Sequence, residues 1–424
     1  MPRVPLLLPT TTYRTEAFVG AASRRGMDVA VASERPNTLA NLNPAGLLKL
    51  DFQDPLKAAE QAVEFSAIHS IDTVVPVDSQ VVVVGAAISA ALGLRHNSVE
   101  SATAAQDKHR MRQRFKQAGV PSPQFTLCSL DEDRATLADR VSFPCVVKPL
   151  SRAASQGVIR ADDQRQFILA VNRLEAILIR EHTSSRQFVV EQFVSGPEVA
   201  LEGMLTRVAL RVLALFDKPD PLDGPFFEET LYVTPSRLVA EMQEEIAQCA
   251  EQAVRALGLT EGPIHAELRL AKDGPSVIEV NARSIGGLCS RVLRFGTGMS
   301  LEELIILHAI EEDFELPERQ SRAAGVIMIP TERAGRFIEV RGLDEAKAVS
   351  GVEGVTISAH QGQQLVPLPE GSRYLGFIFA RADSPEAVEA ALRESHGKLE
   401  FVIEPCVDRR CEDGRTSVAR TEAG

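Results

Sequence analysis

Two hydrophobic periods alternate along the chain. Residues 4–8, 27–32 and 73–77 are short apolar runs of strand length, while 16–25, 55–69 and 79–92 space their apolar residues as helices do. That alternation predicts a small parallel α/β domain over about residues 1–100, Rossmann-like, with helices on both faces. One helix is expected over 101–119, ended by the sequence Gly-Val-Pro-Ser-Pro. Strands follow at 143–149, 188–193, 199–205 and 208–216, then a long Pro-rich and acidic loop from Lys218 to Thr230 and an amphipathic helix over 235–257. An apolar helix is expected over Leu301–Ile310 and a linker over 316–323. Strands at 324–329, 337–340, 354–359, 374–381 and 399–403, with helices at 343–349 and 384–395, predict a small α+β domain over 316–405. The small polar residues of 406–424 read as a disordered tail.

The most informative pattern lies at 264–283. Ile264, Ala266, Leu268 and Leu270 alternate with His265, Glu267 and Arg269; Ile278, Val280 and Ala282 alternate with Val277, Glu279, Asn281 and Arg283. Both runs have the period of half-buried strands, and Lys272-Asp273-Gly274 suits a three-residue hairpin loop with Gly274 in the left-handed position. This register sets Glu267 opposite Glu279 and His265 opposite Asn281 on one face, with opposed Cβ atoms about 4.5–5.5 Å apart. Facing like charges cost stability, and a divalent cation between them removes the conflict. Glu, Glu and Asn are hard oxygen donors of the kind Mg²⁺ takes. A hairpin with one solvated face and incidental acids is the plain alternative; Asn281 and Arg283 on the same face favour a site.

Composition narrows the classes. With 44% apolar and 25% charged residues over 424 positions, the chain is that of an ordinary protein of several domains. A net charge of −12 argues against a nucleic-acid partner held by a broad basic surface, and three Tyr with no Trp disfavour a base-stacking platform. No stretch approaches the roughly 18 apolar residues of a membrane span. Six cysteines without a CxxC pair form neither a zinc site nor a disulfide framework and fit a reducing cytoplasm.

Other candidate chemistry is scattered. After the first strand comes Pro-Thr-Thr-Thr-Tyr-Arg14 rather than a Gly-rich turn, so no dinucleotide is expected there, although hydroxyls and Arg14 at a helix start suit an anion or a simple cap. The basic helix carrying Lys108, Arg110, Arg112, Arg114 and Lys116 reads as a solvated face. Lys148 ends an apolar strand and is followed by Ser-Arg-Ala-Ala-Ser-Gln-Gly157, a loop of small polar residues able to present N–H groups to phosphates. His360 reads as structural.

Taken in order, Lys108, VVKP with Lys148, the small-residue loop, EQFVSGPE and HAEL…VIEVNAR resemble the ATP-grasp superfamily over about residues 100–312. The segments GVIMIPTERAG and RYLGFIFARADSPEAVEAAL resemble the extra domain of its L-amino-acid ligase branch. The resemblance implies a multidomain α/β and α+β fold: the N-terminal Rossmann-like domain, an ATP-grasp core of two α+β subdomains over 101–315, and the C-terminal α+β domain. It implies ATP and one or two Mg²⁺ ions, or Mn²⁺. Lys108 and Lys148 would bind phosphates, with Ser155 and Gly157 in a closing loop. Glu191, Gln192, Phe193 and Val194 would read adenine and Glu198 the ribose. Glu267, Glu279 and Asn281 would hold metal, and Arg283 would stabilise the transferring phosphoryl group. Two departures stand out: relatives carry several glycines where this loop has only Gly157, and His265 stands where some have Arg.

The implied chemistry is amide formation between a small-molecule carboxylate and an amine through an acyl-phosphate, on amino-acid substrates. Phosphoryl transfer asks for positioning and charge neutralisation rather than a protein nucleophile. For substrate, Glu228 or Glu229 would hold an amino group, and Gly286, Gly287 and Arg291 a carboxylate. Homodimers are common in the family. The competing readings are a biotin- or bicarbonate-dependent carboxylase-like enzyme and a non-catalytic ATP-binding protein; the C-terminal segments argue against the first and the complete residue set against the second.

Overall fold

The computed structural model describes residues 1–36, 43, 45–311 and 314–405, so the expected tail at 406–424 lies outside the described residues. The first hundred residues form a four-stranded parallel sheet in the order Leu47–Lys49, Asp28–Ser33, Arg3–Leu7, Val75–Pro76, the Rossmann-like start that strand–helix alternation predicts. Its helices are Thr15–Arg24, Pro55–Ser66, which Asp54 caps, and Val82–Ala91.

The helix expected over 101–119 is two helices, Val99–Gln106 and Lys108–Ala118. Asp107 between them is extended, and its carboxylate accepts the Arg110 N–H at 3.0 Å, capping the second helix. The break puts Lys108 on a first helical turn, where its own N–H donates to the Leu150 carbonyl. Helical spacing runs through both segments and so hides the corner.

A four-stranded antiparallel sheet follows, ordered Phe125–Ser129, Gln187–Gln192, Cys145–Pro149, Ile159–Ala161, and backed by the long helix Gln164–Arg180. Facing it stands an eight-stranded antiparallel sheet in the order Gly274–Asn281, Gly262–Ala271, Glu198–Thr206, Ala209–Lys218, Leu231–Thr234, Ala323–Ile329, Gly376–Ala382, Val352–Ile357. The short strand Leu231–Thr234, wholly buried, joins the two halves. The boundary expected at 316 is therefore not a break in the structure: strands on either side of it share one sheet. One core likewise unites Leu6 and Phe18 near the N-terminus with Phe216, Leu304, Val326 and Phe377. The amphipathic helix begins at Ala240 rather than 235, because Ser236 and Arg237 are tied to the Asp217 carboxylate. Among the described residues no helix is long and apolar enough to cross a membrane.

Candidate active site

A cavity of about 1570 Å³ opens between the two antiparallel sheets, with the N-terminal Thr11–Arg14 turn and the C-terminal segment 363–374 on its rim. The hairpin Gly262–Asn281 supplies much of its floor. Glu267 faces Glu279 and His265 faces Asn281, as the alternation predicts, but the loop is two residues long and the register shifts beyond Glu267. That bulge exchanges two neighbours: Val277 turns into the core and Ile278 lines the cavity, the reverse of simple alternation.

The opposed glutamates do not share one cation. Lys108 Nζ donates to Glu279 Oε1 at 3.1 Å and to the Arg152 carbonyl at 2.9 Å. Lys218 approaches Glu267 at 3.7 Å, and His265 Nε2 lies 3.4 Å from it. The two carboxyls consequently differ in acidity. Burial pushes Glu267 up despite Lys218, whereas for Glu279 the effect of burial is outweighed by Lys108, which holds it below the ordinary value. Three hard oxygen donors (Glu267, Glu279 and Asn281) still line the cavity together, so the residues present fit a divalent cation.

Lys218 was taken for the start of a loop; it ends the strand Ala209–Lys218 and points into the site. Its ammonium meets Glu198 at 2.7 Å and also contacts Glu229, and these acids hold it protonated against the effect of burial. Glu198, Glu229 and Glu267 are close enough to form a metal cluster, but the Lys218 ammonium already contacts all three. Arg269 completes the group, donating to Glu198 at 2.9 Å and to the Val194 carbonyl at 2.8 Å. Glu198, which burial alone would raise, is instead held low by Lys218 and Arg269. The turn before Glu198 is seated by Gly196 at φ +115°: a Cβ there would lie 2.1 Å from the Leu270 carbonyl oxygen.

On the opposite wall Lys148 donates to Glu191 at 2.7 Å, and Arg112 binds the same carboxylate at 2.9 Å. Burial opposes ionisation of Glu191, yet the two cations bring its pKa down to about 2. Arg112, expected on a solvated face, is only 1% exposed. Its position one turn after Lys108 is the signal that was available, since residues four apart share a helix face.

The segment expected to read a base is partly committed. Gln192 N–H donates to the Gln124 carbonyl and Phe193 N–H to the Pro144 carbonyl. The Phe193 ring is covered by the Arg160 and Arg269 guanidiniums, 4.1 and 5.1 Å from its centroid. The small-residue loop is not free either. Gly157 N–H donates to the Pro369 carbonyl at 2.9 Å, and Gln156 Nε2 to the Glu370 carbonyl at 3.0 Å. Ser155, at φ +54°, lines the cavity.

Ser79, which sequence reasoning missed, orients two predicted groups: it donates to Asn281 Oδ1 at 3.3 Å and accepts from Arg283 Nε at 2.8 Å. Arg14 reaches the same corner but is locked inside it, donating to the Val77 carbonyl and to Ser284 Oγ. Glu202 is fully buried, lies 3.2 Å from His265 Nδ1 and accepts the Ile285 N–H, so His265 bridges Glu202 and Glu267. Gly286, Gly287 and Glu229 line the cavity; Glu228 does not. The Glu229 carboxyl is raised by burial and accepts from Tyr232 at 2.7 Å. Arg291 requires correction. It lies outside the cavity lining, donates to Thr356 at 3.2 Å and sits 5.4 Å over Phe379, because the short helical turn Cys289–Val292 directs it toward the C-terminal strands.

Residues 141–292 match the ATP-grasp domain family, and 327–404 match the family described as L-amino acid ligase C-terminal domain 2. An uncharacterised protein of Sinorhizobium fredii is 28% identical over 304 residues, 71% of this chain and 62% of that one. The alanine–anticapsin ligase of Bacillus subtilis (strain 168) is 26% identical over 281 residues, 62% of this chain and 59% of the relative. The chain thus spans about 60% of the length of these curated relatives. The crystal structure of an L-amino acid ligase from Bacillus licheniformis superposes with a TM-score of 0.79 at 28% identity, covering 95% of this chain and 99% of that one.

Proposed function

The chain carries an ATP-grasp domain followed by an L-amino acid ligase C-terminal domain, and from that premise we propose that it is an ATP-dependent carboxylate–amine ligase acting on amino-acid substrates. The observation that carries this reading is the convergence of Lys108, Lys148, Glu267, Glu279, Asn281 and Arg283 on one cavity.

Joining a carboxylate to an amine in water is uphill and needs coupling to ATP. The γ-phosphoryl group passes to the carboxylate oxygen, and the amine then attacks the acyl carbon and displaces phosphate. An ammonium has three N–H donors; Lys148 uses one on Glu191, which leaves the others for phosphate oxygens. Glu191 and Arg112 hold Lys148 in place from behind. Glu267, Glu279 and Asn281 would hold Mg²⁺, which supplies neutralisation of phosphate charge. Glu198, fixed by Lys218 and Arg269, would accept hydrogen bonds from sugar hydroxyls. Among the described residues Arg283 hydrogen-bonds to Ser79 Oγ and the Ser284 carbonyl and forms no direct ion pair, although its charge is felt by Glu267 and Glu279, so its guanidinium is available to the transferring phosphoryl group. Glu229, beside Tyr232 and Lys218, is the candidate for the substrate amino group. The sheet Phe125–Ala161, carrying the loop 151–157, and the segment 363–374 keep water from the acyl-phosphate. Among the described residues Cys128, Cys145, Cys249 and Cys289 are buried and free, which suits a reducing cytoplasmic setting.

Phosphate release from ATP, screened over pairs of amino acids with Mg²⁺ present, tests the reading. Release that requires both an acid and an amine, with a matching condensation product by mass, is expected. No turnover with any pair would leave an ATP-binding protein without this chemistry.

A further inference from the structure

The charges lining the cavity balance almost completely. Lys108, Lys148, Arg152, Arg180, Lys218 and Arg269 each contact a glutamate. Three cations do not. Arg14 is 1% exposed and locked by its bonds to Val77 and Ser284. Arg283 is assigned above to the phosphoryl group. The third is Arg373.

Arg373 is held by its backbone alone. Its carbonyl accepts from Thr331 Oγ1 at 3.0 Å, and Thr331 is buried. The guanidinium is exposed on the cavity wall, and among the described residues its side chain forms no hydrogen bond or ion pair. Its surroundings are shaped. Tyr13 and Tyr374 both pack edge-on against Phe377, at 5.8 and 5.9 Å between centroids, giving an aromatic wall beside the charge. Burial raises the Tyr13 hydroxyl pKa, and the Arg373 charge opposes that rise, which puts the guanidinium near the wall. An anchored backbone, a cation without a side-chain partner among the described residues and an aromatic wall stand together on the C-terminal rim of the cavity.

We propose that Arg373, on the C-terminal segment, is the specificity residue that binds the carboxylate carried by the amine substrate. Arg283 and Arg373 then divide two anions between them: the transferring phosphoryl group, and the carboxylate that marks the attacking amine. A planar guanidinium suits a carboxylate because it donates two parallel N–H bonds. The C-terminal segment thereby contributes a specificity residue that the ATP-grasp domain lacks. The inference rests on the ligase reading.

The test compares one amino acid, chosen from the ligation screen, with its methyl ester as the amine, in wild type, Arg373→Ala and Arg373→Lys. Wild type is expected to prefer the free acid by about tenfold or more in kcat/KM, the value of a charge-assisted bond. Arg373→Ala should bring the two amines close to parity with the KM for ATP unchanged, and Arg373→Lys should restore part of the preference. A purely structural role would slow both amines alike and keep the preference, which overturns the proposal. Absence of a preference in wild type overturns it too while leaving the ligase intact. Failure of every amine would remove the ligase reading and this inference with it.

Discussion

Glu279→Ala is expected to lower Mg²⁺-dependent turnover by about a hundredfold or more, the scale of removing one preorganised electrostatic partner from a reacting centre. Glu279 lines the cavity with its side chain 22% exposed, and its only charged hydrogen-bond partner among the described residues is Lys108 at 3.1 Å. The substitution removes a hard oxygen donor and leaves Lys108 with the Arg152 carbonyl. Loss of the donor weakens the hold on the ion, so the Mg²⁺ concentration for half-maximal rate should rise as the maximal rate falls. Stability should fall much less, because the carboxylate borders the cavity and Lys108 keeps its bond to the Arg152 carbonyl. Steady-state rates over a Mg²⁺ series, with circular dichroism to confirm the fold, check this. Full activity in the variant would remove the metal-site assignment.

Arg283→Ala should have a larger effect on kcat, about a thousandfold, with the KM for ATP nearly unchanged. An arginine aimed at a transferring phosphoryl group contributes 10³–10⁵ in rate where such groups have been removed or supplied. Arg283 follows the strand Gly274–Asn281, oriented by Ser79 and by the Ser284 carbonyl, and among the described residues no carboxylate forms a direct ion pair with it. Its contribution is therefore realised when negative charge develops, which predicts loss in kcat rather than in ground-state binding. Arg283→Lys should recover little, because an ammonium lacks the flat fork that holds Ser79 and an oxygen ligand together. An equal fall in nucleotide affinity would place Arg283 on bound ATP instead of on the reacting group.

The hairpin was legible because its chemistry is local. Period-2 alternation and a short turn set Glu267 against Glu279, and this facing survived an error in loop length because the bulge at Ile278 compensated for the missing loop residue. The resemblance likewise led to Lys108 and Lys148, but not to what neutralises them. Arg112, Lys218 and Arg269 are basic residues whose roles depend on partners 79, 20 and 71 positions away. A helix or strand pattern says which face a side chain shares, not what will pack on that face. The same limit explains the loop at 151–157, whose Gly157 is bonded to Pro369, and the strand Leu231–Thr234, too short to show a period yet central to the largest sheet. Arg291 was misplaced because the two glycines before it leave the direction of the chain open.

The reaction proposed for this cavity transfers phosphoryl from ATP to a carboxylate that an amine then attacks. Supplying the acid substrate with ¹⁸O in its carboxylate and analysing the released phosphate by mass tests it most directly. One ¹⁸O atom in each phosphate, appearing only when the amine is ligated, is predicted. Amide formation with unlabelled phosphate would contradict the account, because the carboxylate oxygen would never have carried the phosphoryl group.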